Sequence, residues 1–204
     1  MESNSLTLID NFFEDPDEVR SRGLSHLISQ HRNIINDDFG FYPGIRTKDL
    51  KEIDVDIYDA IKSELEKYLQ SKIEVDMSYH LTSEIHKTGL IHIDDGTEFA
   101  GLIYLNDYAP EDTGTILCDK IEDPCPLGNK FYNASTTQSF DEILDFARYK
   151  SVYNRKYFRI NCTIQNKFNR FIMYDSKSYH APHKYFGDNL FDSRLVLVFW
   201  LNRI

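Results

Sequence analysis

The chain has 204 residues, of which 41% are hydrophobic and 14% aromatic, and a formal net charge of −10. That length suffices for one domain with a proper core. No run of eighteen or more apolar residues offers a membrane span, and the acidic balance argues against nucleic-acid binding through a broad basic face.

The three cysteines, Cys118, Cys125 and Cys162, form no C-x-x-C pair. Free thiols in a reducing cytoplasm are expected, not a disulfide framework or a structural zinc site. The N-terminal MESNSLTLIDNFFEDPDE lacks a basic region followed by an apolar one, so no signal peptide is read and the expected location is cytoplasmic.

Taken in order, EDPDEVRSRGLSHLISQH opens a helix, with Asp15 as N-cap, Pro16 in the first position and Glu18 three residues after the cap. Val19, Leu24, Leu27 and Ile28 form its expected apolar stripe, with Gly23 a weak point. GFYPGIRT, residues 40–47, reads as a loop punctuated by Pro43 and Gly44. A second amphipathic helix follows, its stripe made of Ile57, Ile61, Leu65, Tyr68 and Leu69.

From about residue 73 the texture changes to short β-branched and aromatic runs: KIEVDMSYHLTSEI, LIHIDD, FAGLIYLND, TGTILCD, YFRINCTIQ, NRFIMYDS and SRLVLVFWLN. Turn residues separate most of them, which predicts an antiparallel sandwich or jelly roll. Residues 119–157 interrupt the series. There STTQSFDEILDFARYK carries a capping signature, Ser139 with Glu142, and reads as an inserted helix.

Residues i and i+2 of a strand point to one face, so His92 and Asp94 in LIHIDD point together, with Ile91 and Ile93 opposite. An imidazole and a carboxylate so placed bind one cation from two sides, though alone they equally describe a half-exposed strand. A distant histidine completes a set of two histidines and one carboxylate, the facial triad of non-haem Fe(II) oxygenases. His180 suits that role best. His183 competes but lies beyond Pro182, where the chain is turning.

With these motifs in order, the sequence resembles the 2-oxoglutarate/Fe(II)-dependent dioxygenases, in their prolyl-hydroxylase-like branch, from roughly residue 75 onward. The resemblance is carried by HID, LIYLND, DTGTIL, SYHA and RLVLVFW. Two departures stand out: the family's Gly-Gly-Thr turn is only Thr113-Gly114-Thr115, and the gap from His180 to Arg194 is a few residues longer than usual.

The resemblance implies an α+β fold: a double-stranded β-helix (jelly-roll) core, N-terminal helices on one sheet and a helical insertion. Residues 1–204 would form a single domain, with 1–73 as helical support and 74–204 as the catalytic core. It implies His92, Asp94 and His180 as ligands of Fe(II), and Arg194 as anchor of the 2-oxoglutarate co-substrate. Tyr104 would reach the same carboxylate or serve as a core aromatic, and Tyr79 would face the co-substrate or pack. Arg194 also has a charge argument: Fe(II), Asp94 and a 2-oxoglutarate dianion sum to one negative charge, which a guanidinium neutralises with two parallel hydrogen bonds.

The implied reaction hydroxylates an unactivated C–H bond using Fe(II), 2-oxoglutarate and O2, with ascorbate as a reductant. The carboxylate of Asp94 favours hydroxylation over halogenation, because related halogenases lack it.

The substrate is not legible; a peptide side chain and a small metabolite both fit. Arg46 reads as a substrate contact or a surface ion pair, and Trp200, six residues after Arg194, as core packing or a substrate contact. The basic segment RYKSVYNRKYFR, residues 148–159, reads as a solvated face or a contact for an anionic substrate. His80 and His86 read as surface or core histidines. Two alternatives remain: a cupin-like binding module without catalysis, and a nucleic-acid demethylase of the same superfamily.

Overall fold

The computed structural model describes residues 6–30, 44–122 and 140–204. Its frame is set by two long strands. β3 (Ile73–Thr82) and β9 (Arg194–Arg203) pair antiparallel along their whole length, from Ile73 opposite Arg203 to Thr82 opposite Arg194. They belong to a six-stranded antiparallel sheet that also holds β1 (Leu6–Ile9), β2 (Ile45–Arg46), β4 (Phe99–Tyr104) and β7 (Phe171–Asp175). Its order is β1-β7-β4-β9-β3-β2. β5 (Thr115–Lys120), β6 (Phe158–Ile164) and β8 (Tyr179–Pro182) form a second antiparallel sheet, in the order β6-β5-β8.

Alternation with period two splits the larger sheet into two faces. The odd-numbered Ile73, Val75, Met77, Tyr79 and Leu81 of β3 share a core with Leu195, Leu197, Phe199 and Leu201 of β9. That core is covered by Val19, Leu24 and Leu27 of α1 (Pro16–Gln30), Leu50 of α2 (Leu50–Ile53), and Ile57, Ile61 and Leu65 of α3 (Val55–Leu69). The even-numbered Ala100, Leu102, Ile172, Val196 and Val198 face the other way, onto Leu117 and Ile164 of the smaller sheet. Each large apolar side chain fully buried in these layers contributes about 1.5–3 kcal/mol.

α1 starts where the sequence predicts. The Glu18 N–H donates to Asp15 Oδ1 at 3.0 Å. Gly23, expected to weaken the helix, permits its docking: a Cβ there would meet the Tyr79 ring at 2.7 Å. Ile28 departs from the expected stripe and is exposed. Successive residues turn by about 100° around a helix, which carries Ile28 past the contact line that ends at Leu27. Tyr68 of α3 is likewise exposed. The side chain of Asp54 is fully buried and ties α1 to α3, receiving Arg22 Nε at 3.0 Å and His26 Nε2 at 3.1 Å.

The structure corrects several sequence expectations. Ile45–Arg46, read as loop, is a short strand against Leu81 and His80. Residues 40–43 of that loop lie outside the described residues. The segment around His180, outside the runs read as strands, is strand β8. LIHIDD is not a regular strand and makes a single bridge between His92 and His180. Tyr79 packs among the helices and does not face the second sheet. α4 (Phe140–Asn154) is the helix expected in the insertion, whose capping residue Ser139 lies outside the described residues. β1 and α2 carried no sequence signal that was read. Among the described residues no helix is long and apolar enough to cross a membrane.

Candidate metal centre and its cavity

The centre is framed by backbone pairing. His92 N–H donates to the His180 carbonyl at 3.0 Å and His180 N–H returns to the His92 carbonyl at 2.9 Å. Asp94 N–H, two residues on, donates to the Ser176 carbonyl at 2.9 Å. These bonds lay the 92–94 segment beside β8, so that three side chains distant in sequence point together.

Each imidazole is fixed in one tautomer. Nδ1 of His92 lies 2.9 Å from the Leu90 carbonyl, and Nδ1 of His180 lies 2.9 Å from the Ser178 carbonyl. A carbonyl only accepts, so Nδ1 carries the proton and Nε2 keeps its lone pair. Both Nε2 atoms are turned to Asp94, at 3.7 Å from Oδ1 for His92 and 3.3 Å from Oδ2 for His180. One ligand atom from each residue lies within 4.8 Å of the others. Bonds of about 2 Å to a first-row metal ion are within reach of that spacing, and two imidazole nitrogens with one carboxylate are the donors a facial site needs.

The electrostatics favour cation binding. Burial, then the neighbouring His180, lowers the His92 pKa against the opposing effects of Leu90 and Asp94, and so favours the neutral, ligating form. Burial alone would raise the Asp94 carboxyl. The close approach of His180, then of His92, and the contact with Trp200 outweigh it, and the pKa stays below its ordinary value.

These three residues line a cavity of about 460 Å³ between the sheets, whose wall also includes Arg46, His80, Thr82, Thr115, Arg194 and Trp200. Arg194 is 3% exposed, and its Nε and Nη2 are buried without a hydrogen-bond partner. Its guanidinium lies over the Tyr104 ring, 5.7 Å from the centroid, a favourable but insufficient partner for a buried cation. A buried guanidinium with two orphaned donors fits a carboxylate ligand.

Tyr104 does not itself line this wall. Its hydroxyl donates to Thr115 Oγ1 at 2.7 Å, and Thr115 does line it. Arg46 stacks over Trp200, 5.2 Å from the ring centroid. His183 stands away from the cavity wall, with its N–H on the Gly114 carbonyl.

His80 is the residue that sequence reasoning underrated. It is buried in the cavity wall, with Nε2 3.0 Å from Ser78 Oγ and its ring 5.9 Å from that of Trp200. Burial, then the charges of Arg46 and Arg194, pushes its pKa well below the ordinary value. A signal was present: in VDMSYHLT apolar residues alternate with Asp76, Ser78, His80 and Thr82, which puts His80 on the polar face. Thr115, from the Thr113-Gly114-Thr115 turn, and Thr82, which carried no motif, share that wall.

The fold recurs in solved structures. A prolyl hydroxylase from Trichoplax adhaerens, in complex with a hypoxia inducible factor oxygen degradation domain peptide fragment, is 13% identical with a TM-score of 0.60, over 98% of this chain and 84% of that one. HygX from Streptomyces hygroscopicus, with nickel and 2-oxoglutarate bound, is 12% identical with a TM-score of 0.59, over 99% and 84%. A Pseudomonas putida prolyl-4-hydroxylase is 11% identical with a TM-score of 0.55, over 99% and 94%. The chain therefore has the fold of the 2-oxoglutarate/Fe(II)-dependent oxygenases, in their prolyl-hydroxylase-like form. A model for DUF6445, described as a family of unknown function, matches residues 1–190, and the chain belongs to that family. No curated protein matches it in sequence.

Proposed function

We propose that this chain is a 2-oxoglutarate- and Fe(II)-dependent oxygenase that hydroxylates an unactivated C–H bond, built as a single domain on a double-stranded β-helix. The observation that carries the reading is the pairing of two features in one cavity: a His/Asp/His cluster and a buried Arg194 with orphaned donors.

When bound, Fe(II) with 2-oxoglutarate and O2 supplies the oxidant, and succinate and carbon dioxide are the co-products. His92 and His180 offer Nε2 as ligands because their Nδ1 protons are held by Leu90 and Ser178. Asp94 supplies the anionic ligand and is placed by its N–H on the Ser176 carbonyl. Arg194 receives the co-substrate's distal carboxylate, with Tyr104 beneath the guanidinium and its hydroxyl held by Thr115. Leu102, Val196 and Val198 line the same cavity and limit water there.

The substrate is a small metabolite or a peptide side chain, contacted by Arg46 and Trp200. The Trichoplax relative, which holds a peptide, and HygX, which holds 2-oxoglutarate, support both the cofactor set and that range.

The test is succinate formation from 2-oxoglutarate with Fe(II), run on wild type, His92→Ala and Arg194→Met, together with calorimetric binding of 2-oxoglutarate in the presence of Ni(II). Uncoupled turnover in the wild type that both substitutions abolish supports the reading. A wild type that binds neither Ni(II) nor 2-oxoglutarate refutes it.

A further inference from the structure

The His92 strand is short of partners on one side. In an antiparallel pair, alternate residues direct their N–H and C=O toward the neighbour and away from it. His92 directs both toward His180. Ile91 therefore directs both the other way, where no strand lies among the described residues. A buried residue with two open backbone groups needs a substitute. Ile91 is 4% exposed, and the substitute is one side chain: its N–H donates to Asn154 Oδ1 at 2.9 Å, and Asn154 Nδ2 donates to its carbonyl at 3.3 Å. The carboxamide at the end of α4 does the work of a neighbouring strand.

The next residue continues the contact. Arg155 Nη2 lies 2.9 Å from the Pro182 carbonyl, 3.1 Å from that of His183 and 3.3 Å from that of Gly89. Gly89 precedes Leu90, whose carbonyl fixes the His92 tautomer. Pro182 ends β8, the strand that carries His180. One guanidinium thus pins together the two backbone segments from which both histidines project. Its half-buried position also shows that Arg155 belongs to this junction and not to a solvated basic face.

We propose that Asn154 and Arg155 are positioning residues that set the spacing of the His92 and His180 imidazoles, so that the C-terminal end of the insertion tunes metal affinity. The inference rests on the assignment of His92, Asp94 and His180 as metal ligands. Neither residue touches the metal; both act through the backbone. The anionic-substrate reading of residues 148–159 gives way at Arg155, and Arg148 is engaged elsewhere, donating to the Ile85 carbonyl at 2.6 Å.

The experiment uses the full chain and Co(II) as probe, with affinity from titration and ligand geometry from the visible absorption spectrum. Asn154→Asp keeps the acceptor for Ile91 N–H but sets a carboxylate against the Ile91 carbonyl. Arg155→Met removes the cation, and Arg155→Lys restores one. Leu24→Ala, in the helix layer, lowers stability without touching these contacts. The expected result is a loss of Co(II) affinity of about tenfold or more for Asn154→Asp and Arg155→Met, as outer partners of metal sites typically give. Their spectra change, Arg155→Lys recovers part of the affinity, and Leu24→Ala leaves affinity and spectrum unchanged. Folded Asn154→Asp and Arg155→Met variants with wild-type affinity and spectrum overturn the inference while the metal centre stands. A wild type that binds no Co(II) overturns the metal centre and the inference together.

Discussion

His92 and His180 face each other across a two-bond backbone bridge, with ring centroids 4.4 Å apart. The bridge fixes where both imidazoles start, and the Leu90 and Ser178 carbonyls fix which nitrogen each one offers. His180→Ala is therefore expected to abolish stoichiometric Ni(II) binding, and His183→Ala to leave it intact. Calorimetry on both variants checks this, and the opposite pattern would transfer the distal ligand to His183.

Arg194 predicts a separation of stability from binding. Replacing a buried, incompletely partnered ion by an apolar side chain is often neutral or stabilising by about 1–4 kcal/mol. Arg194→Met is thus expected to melt at or above the wild-type temperature without ligand. With Ni(II) present, 2-oxoglutarate at a hundred times its dissociation constant stabilises the wild type by about 2.7 kcal/mol. The variant gains nothing from the same addition. Thermal melts with and without 2-oxoglutarate measure both effects.

Histidines whose pKa burial lowers, His86 and His80 among them, make stability depend on pH. Burial, then the charge of Arg148, lowers the His86 pKa from 6.5 to about 4 in the folded chain. Burial, then the charges of Arg46 and Arg194, drives His80 in the same direction. The unfolded chain therefore binds more protons than the folded one below about pH 6.5, and stability rises with pH across that window. The His86 contribution is complete above the unfolded value and is lost as the pH falls toward 4. Urea melts from pH 4.5 to 7 are expected to show this slope, and His86→Gln to reduce it.

Gly23 gives a packing prediction. Alanine is the better helix former by about 1 kcal/mol, but its methyl group would collide with the Tyr79 ring, and overpacking of this kind costs about 1–3 kcal/mol. Gly23→Ala is expected to lower the melting temperature. Tyr79→Leu in the same chain is expected to remove most of that difference, which a double-mutant cycle measures.

What the sequence revealed follows from how local each signal was. The cap at Asp15 and Pro16 placed α1 because one turn of chain contains the whole instruction. The β-branched and aromatic runs KIEVDMSYHLTSEI and SRLVLVFWLN placed β3 and β9 for the same reason. The His/Asp pair and its distant His180 were legible only as a resemblance in the order of motifs, since their meeting depends on backbone bonds between residues far apart in the chain. LIHIDD looked like a strand because apolar residues alternate there, yet only one residue finds a ladder partner. β8 was missed because Tyr179–Pro182 is brief and ends in proline. His80 was underrated because no spacing to another ligand marks it, while its place in the cavity comes from the register with β9.

That register also limits how such a protein is able to change over evolutionary time. Adding or deleting one residue within β3 or β9 would exchange their two faces, swinging His80 or Arg194 under the helices and driving leucines into the cavity. Relatives are free to lengthen connecting segments, but single-residue indels in these two staves are expected to be purged.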